Sequence, residues 1–139
     1  MTQPSRRYDV LIDTSGFFAA LQSGDVGHER ALEAMQRITD QRLRVCTSNF
    51  VIAETHALIL ARRNRAEAYS FLTSFDGGAI GVLAVTLEDE REARAIIEHY
   101  ADKDFSYTDA TSFALIRRLG IASALSFDRH FLQFGLPAP

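Results

Sequence analysis

The sequence predicts a three-layer α/β/α sandwich built on a short parallel sheet. Short apolar runs alternate along the chain with longer segments of helical period, the pattern of strands joined through crossover helices. These runs, such as Val10-Leu11-Ile12 and Ile121 to Leu125, are apolar throughout rather than at every second position, as expected of strands covered on both faces. Acidic residues follow strand ends, where open α/β sheets bind ligands.

The elements follow in order. Tyr8 to Ile12 reads as a buried strand ending in Asp13-Thr14-Ser15-Gly16, with Thr14 or Ser15 able to cap a helix over Phe17 to Leu21. Ser23-Gly24-Asp25 breaks that helix. His28 to Thr39 is a helix with Ala31, Leu32, Met35 and Ile38 on one face, and Leu43 to Cys46 is a second strand. Thr47 or Ser48 caps a helix running to about Arg63, on which Phe50, Glu54, Ala57, Leu58 and Ala61 share a face. Asn64 separates it from a helix over about Arg65 to Phe75, with Tyr69, Leu72 and Phe75 inward. Gly77-Gly78 is a turn and Ile80 to Val85 a third strand. Leu87 to about His99 is an amphipathic helix turning Ala93, Ile96, Ile97 and Tyr100 inward. Ser106 or Thr108 caps a helix to Leu119, which Gly120 ends. Ile121 to Leu125 is the fourth strand, followed by a short helical turn near Arg129 to Phe131.

Composition narrows the function. A chain of 139 residues, 47% hydrophobic, makes one domain with a substantial core, expected over residues 1–139. A net charge of −3 gives no broad positive field for nonspecific nucleic-acid binding. The lone Cys46 excludes an internal disulfide framework and a cysteine-based zinc site, in keeping with a cytoplasmic protein, and reads as core. Arg6 and Arg7 precede an apolar stretch that Asp9 and Asp13 interrupt, so neither a signal peptide nor a membrane span is expected. Fourteen of the 15 basic residues are Arg, the side chain that pairs with phosphate through a planar fork; a GC-rich genome also accounts for this bias.

The chemistry is expected at Asp13, Glu54, Asp109 and Asp128. Each also has an ordinary reading: Asp13 as a helix cap, Asp109 as a complement to a helix dipole, Asp128 as a partner of neighbouring Arg129. Glu54 interrupts an otherwise apolar face with no Lys or Arg at its near helical positions. Asp104, just before the Asp109 helix, also reads as a solvated loop residue. Together, carboxylates bordering apolar segments repel one another and lose hydration on folding, which a bound hard cation such as Mg²⁺ or Mn²⁺ offsets. Other chemistries fit less well. There is no Gly-rich nucleotide loop, His28, His56, His99 and His130 lack zinc spacing, and an aspartyl phosphatase would carry a second Asp at the position of Ser15. A phospho-receiver domain needs a Lys after a late strand, whereas Lys103 precedes a helix.

The four acidic segments, in order and across nearly the whole chain, resemble those of PIN-domain ribonucleases, in particular the VapC-type toxins of bacterial toxin–antitoxin pairs. The resemblance lies in Val10 to Ser15, Thr47 to Glu54, Asp104 to Ala110 and Ser126 to Phe131, where Thr is commoner than Ser126 but a hydroxyl is retained. It implies an endoribonuclease dependent on Mg²⁺ or Mn²⁺, a homodimer, silenced by an antitoxin protein encoded beside it. Asp13 and Asp109 would be the main metal ligands, with Glu54 and Asp128 completing the cluster directly or through water around one ion or two. Thr14, Asp104 and Ser126 would support them, the two hydroxyls by donating hydrogen bonds. Arg62, Arg63, Arg65, Arg117, Arg118 and Arg129 are candidates for an RNA-facing rim, and the exposed faces of the Ser48–Arg63 and Arg65–Phe75 helices for antitoxin docking. A processing nuclease without an antitoxin and a non-catalytic binding module of the same fold remain as alternatives.

Overall fold

The computed structural model describes residues 8–24 and 26–139, so Arg6, Arg7 and Asp25 lie outside the described residues. Four parallel strands, β1 (Val10–Ile12), β2 (Val45–Ser48), β3 (Gly81–Leu83) and β4 (Ser123–Leu125), form one sheet in the order β3-β2-β1-β4. Val10 pairs with Val45 on one side and Ser123 on the other, and Ile12 pairs with Leu125. The chain steps outward from β1 through β2 to β3 and then crosses back to place β4 on the other side of β1. The β1–β4 boundary is thus the point where strand order reverses, and the crevice at its carboxyl end is where such sheets take ligands.

Side chains alternate across each strand, and the two sheet faces carry separate cores. Val10, Ile12 and Leu125 face Phe17, Phe18, Ala34, Ile38, Val51, Ile59, Ala68 and Phe71 from α1 (Thr14–Leu21), α2 (Val26–Asp40), α3 (Asn49–Arg62) and α4 (Arg65–Thr73). Leu11, Cys46 and Ala124 face Ala93, Ile96, Phe113, Ile116 and Phe131 from α5 (Leu87–His99), α6 (Tyr107–Leu119) and α7 (Arg129–Gln133). Three layers result, as predicted. Phe113 is fully buried and stacks on Phe134 at 4.2 Å between centroids, locking the α7 region onto α6. Cys46 is core as expected, and burial pushes its thiol up to about 12, leaving no thiolate. The tail after α7 forms no element, but the Pro137 carbonyl accepts from Ala124 N at 3.1 Å and covers the β4 edge. Among the described residues no helix is long and apolar enough to cross a membrane.

Helix orientation departs from expectation in four places. On α3 the buried residues are Val51, Thr55 and Ile59, so the face of Glu54, Ala57 and Ala61 is turned to solvent. On α4, Ala68 and Phe71 are buried while Tyr69 is 60% exposed. On α2, Ala34 takes the inward place expected of Leu32, which is exposed. These helices have apolar stripes broader than the surface the sheet can cover, and the sheet selects their smaller or better-placed edge. Ile97 of α5 is likewise exposed at its stripe's margin. Expected strands shorten to three or four residues because pairing ends before the apolar runs do.

Candidate active site

Asp13 sits at the carboxyl end of β1, with its backbone N still donating to the Leu125 carbonyl of β4 at 3.2 Å. The ladder therefore fixes the carboxylate against β4 before any side-chain contact is made. Asp13, rather than Thr14 or Ser15, caps α1: its Oδ1 accepts from Gly16 N at 2.8 Å. Ser15 Oγ donates to the same oxygen at 2.8 Å, and Ser126 Oγ, just past β4, donates to Oδ2 at 2.7 Å. Both hydroxyl oxygens are themselves held by backbone donors, Phe127 N on Ser15 and Asp128 N on Ser126. The two hydroxyls also lie 3.2 Å from each other, and each is within donating distance of its own Asp13 oxygen. Gly16 is required for this closeness, since a Cβ there would lie 2.3 Å from the Leu125 carbonyl oxygen.

Asp109 lies in the first turn of α6 in a capping box with Ser106, accepting from Ser106 N while its own N donates to Ser106 Oγ. Its Oδ2 also accepts from His130 Nδ1 at 3.0 Å. The same ring nitrogen is 3.1 Å from Asp128 Oδ1, and Asp128 caps α7 through His130 N. Asp128 is thus paired with His130, not Arg129. Ligand atoms of Asp109, Asp128 and His130 all fall within 4.8 Å of one another.

Electrostatics join this group to Asp13. Asp13 is 4% exposed, and burial pushes its carboxyl up to about 6 against the pull of three hydrogen bonds, with Asp109's charge adding to the rise. Burial likewise raises Asp109, reinforced by the charge of Asp128 and opposed by the His130 and Ser106 hydrogen bonds. Among the described residues neither buried carboxylate has an Arg or Lys partner, and with Asp128 beside them they make a set of hard oxygens oriented by the His130 imidazole. That set fits a divalent cation such as Mg²⁺ or Mn²⁺, whose charge would reverse the upward shifts.

The remaining sequence-predicted residues stand apart from this hydrogen-bonded core. Glu54 is exposed and makes no side-chain hydrogen bond or ion pair among the described residues. It shares a helix face with Phe50, whose ring meets that of Tyr107, two residues before Asp109, at 5.9 Å. Asp104 is exposed and equally unpartnered among the described residues. Thr14 Oγ1 is buried without a partner among the described residues; Ser15, one residue on, makes the hydrogen bond expected of Thr14. Of the arginines expected on the rim, Arg118 instead grips buried Asp89 with two hydrogen bonds of 2.8 and 3.0 Å, Arg117 pairs with Glu92, and Arg63 pairs with Glu67. His130 and Ser15 are the participants that sequence reasoning passed over. The signal was their spacing, each two residues beyond a strand-end Asp, where a helix's first turn folds back on its cap.

Comparison with known proteins agrees with this architecture. The PIN domain family matches residues 10–136. The 23S rRNA-specific endonuclease VapC20 of Mycobacterium tuberculosis is 32% identical over 126 residues, covering 91% of this chain and 94% of the relative. Its crystal structure, described as that of a sarcin–ricin loop cleaving toxin, superposes with a TM-score of 0.84 at 30% identity, covering 94% of this chain and 98% of that one. A toxin–antitoxin complex from Klebsiella pneumoniae (TM-score 0.61, 16% identity, 94% of each chain) shares the fold. So does FitAcB from Neisseria gonorrhoeae (TM-score 0.63, 14% identity, 91% of this chain and 94% of that one). With a carboxylate cluster at the switch point of a β3-β2-β1-β4 parallel sheet and a family match across nearly its whole length, the chain belongs to the PIN-domain family.

Proposed function

We propose that this protein is a metal-dependent endoribonuclease acting as the toxin of a toxin–antitoxin pair, with 23S rRNA as its substrate. The observation that carries the reading is the buried Asp13 beside Asp109, Asp128 and His130 in the β1–β4 crevice, three carboxylates that no Arg or Lys among the described residues offsets. Likeness to the rRNA-specific endonuclease VapC20 supports the substrate.

Asp13 and Asp109 would hold Mg²⁺ or Mn²⁺, with Asp128 and Glu54 completing its surroundings. When bound, the ion supplies Lewis-acid chemistry: it makes water a nucleophile at neutral pH and offsets charge at the phosphodiester. The chain's own contribution is orientation. Ser15, Gly16 and Ser126 fix both oxygens of Asp13, and Ser106 and His130 fix one oxygen of Asp109, so the carboxylates need no rearrangement to bind. His130 holds its Nδ1 proton between Asp109 and Asp128 and keeps them at one centre.

The antitoxin's place is the cleft of about 270 Å³ between α1, α3 and α4, where Leu21, Ile59 and Phe71 offer an apolar floor and Arg63 and Glu67 a charged edge. An Arg from the same partner reaching the carboxylates would silence them. Exposed Leu60, Tyr69 and Leu72 on α3 and α4 support contact with a second copy.

Purified protein should cut 23S rRNA in ribosomes with Mg²⁺ or Mn²⁺, stop with EDTA and be inactive as Asp13→Asn. Cleavage that persists in EDTA, or in Asp13→Asn, contradicts the metal mechanism. A co-expressed neighbouring small protein that binds yet leaves cleavage at full rate contradicts the silencing role.

A further inference from the structure

Phe127 stands between two residues of the site, Ser126 and Asp128, and is 40% exposed. Its position is fixed rather than loose: Phe127 N donates to Ser15 Oγ at 2.8 Å, and Asp128 N donates to Ser126 Oγ at 3.0 Å. An aromatic ring on a backbone fixed in this way and left partly in solvent contributes little to the core and is available for contact. It lines a groove of about 380 Å³ that begins at Ser126 and Asp128 and runs between α2 and α7. Arg30 and Arg37 of α2 and Arg129 of α7 also line the groove; Arg37 Nε donates to the Pro139 carbonyl oxygen at 3.1 Å, while among the described residues Arg30 and Arg129 are in no ion pair. The facing acidic residue away from the site is Glu33. Beside the carboxylates of a chain of net charge −3, Arg30 and Arg129 thus offer two guanidinium groups along one groove.

We infer that this groove is a subsite for an unpaired nucleotide next to the scissile phosphate, with its base stacked on Phe127 and its flanking phosphates held by Arg30 and Arg129. Aromatic faces accept any base, and free guanidinium groups beside them suit phosphate, which is the chemistry of single-stranded RNA recognition. Phe127 therefore acts as a positioning residue: it sets which nucleotide sits at the cluster without touching the reacting atoms. The inference rests on the ribonuclease reading proposed above.

The test uses a hairpin RNA carrying the sarcin–ricin loop of 23S rRNA, with 2-aminopurine placed in turn at each loop position. Binding is measured with Asp13→Asn protein, which holds the RNA uncut, and cleavage with protein carrying wild-type Asp13. Stacking should quench 2-aminopurine at a position bordering the cut. Phe127→Ala should abolish that quenching and raise KM roughly ten-fold with kcat little changed, and Phe127→Trp should restore both. Arg30→Ala should weaken binding and lower the salt dependence of log affinity by about 0.7, one phosphate contact, while quenching persists at saturating protein. Quenching and KM unchanged in Phe127→Ala would overturn the subsite while leaving the ribonuclease reading intact, and would assign the groove to a protein partner. Absence of both cleavage and binding by wild type would overturn the ribonuclease reading, and the subsite with it.

Discussion

Neutralising Asp13 should stabilise the metal-free protein, and the size of the effect follows from its burial. The carboxyl titrates at about 6 in the fold against an ordinary value of 3.8, so near neutral pH the folded state carries a charge that its surroundings disfavour. A difference of that size corresponds to about 3 kcal/mol. The sign is the reverse of an ordinary salt-bridged Asp. Between pH 4 and 6 the folded chain keeps a proton that the unfolded chain has lost, so this group's contribution to stability falls as pH rises. Asn at position 13 keeps the contacts: its carbonyl accepts from Gly16 N and Ser15 Oγ, and its amide donates to the second lone pair of Ser126 Oγ. In EDTA at pH 7.5, Asp13→Asn should therefore gain up to about 3 kcal/mol in urea unfolding, or roughly 10 °C in Tm for a chain of this size. The gain should shrink steeply toward pH 4 and vanish below it, where wild-type Asp13 becomes protonated in both states. Saturating Mg²⁺ should raise the stability of wild type and do much less for the variant. An Asp13→Asn protein no more stable than wild type at pH 7.5, or equally advantaged at pH 4, would refute the argument that desolvation governs this carboxylate.

Four further outcomes are expected. Gly16→Ala should lose about 2 kcal/mol and most cleavage, because its Cβ would meet the Leu125 carbonyl and push α1 off the β4 end; urea unfolding and an rRNA cleavage assay read both. Arg118→Met should cost about 3 kcal/mol by stranding Asp89, which is 2% exposed. Burial pushes the Asp89 carboxyl up, but the Arg118 and Thr86 hydrogen bonds outweigh it and the net shift is downward; its stabilisation is therefore present at neutral pH and lost in acid, and the deficit of Arg118→Met in urea unfolding should narrow as pH falls below 4. His130→Ala should leave the fold intact by circular dichroism but cut cleavage about 10- to 100-fold, since among the described residues His130 alone contacts both Asp109 and Asp128. Ser126→Thr should retain activity where Ser126→Ala loses it, because only the hydroxyl proton reaches Asp13 Oδ2.

Strand and helix order, the layer architecture and three of the four cluster residues were legible in the sequence, for a local reason. Periodicity, Gly120 at a helix end and a carboxylate directly after an apolar strand are all properties of neighbours along the chain. Asp13 and Asp128 needed only the general rule that ligands gather where parallel strands end, and Asp109 the motif at the start of its helix. Orientation was not legible, because the inward edge of an amphipathic stripe is chosen by what packs against it; α3 buries Val51, Thr55 and Ile59, and Glu54 falls on the solvent side. Nor were the partners of each carboxylate. Ser126 lies 113 residues from Asp13, and His130 lies 21 from Asp109 across two different elements. The first exists because β4 pairs with β1 in the register Ile12 to Leu125, bringing the two strand ends side by side, and the second because α7 packs on α6 through Phe113 and Phe131. The same pairing removes Asp13 from water and so sets its proton affinity, a property no stretch of sequence around Asp13 contains.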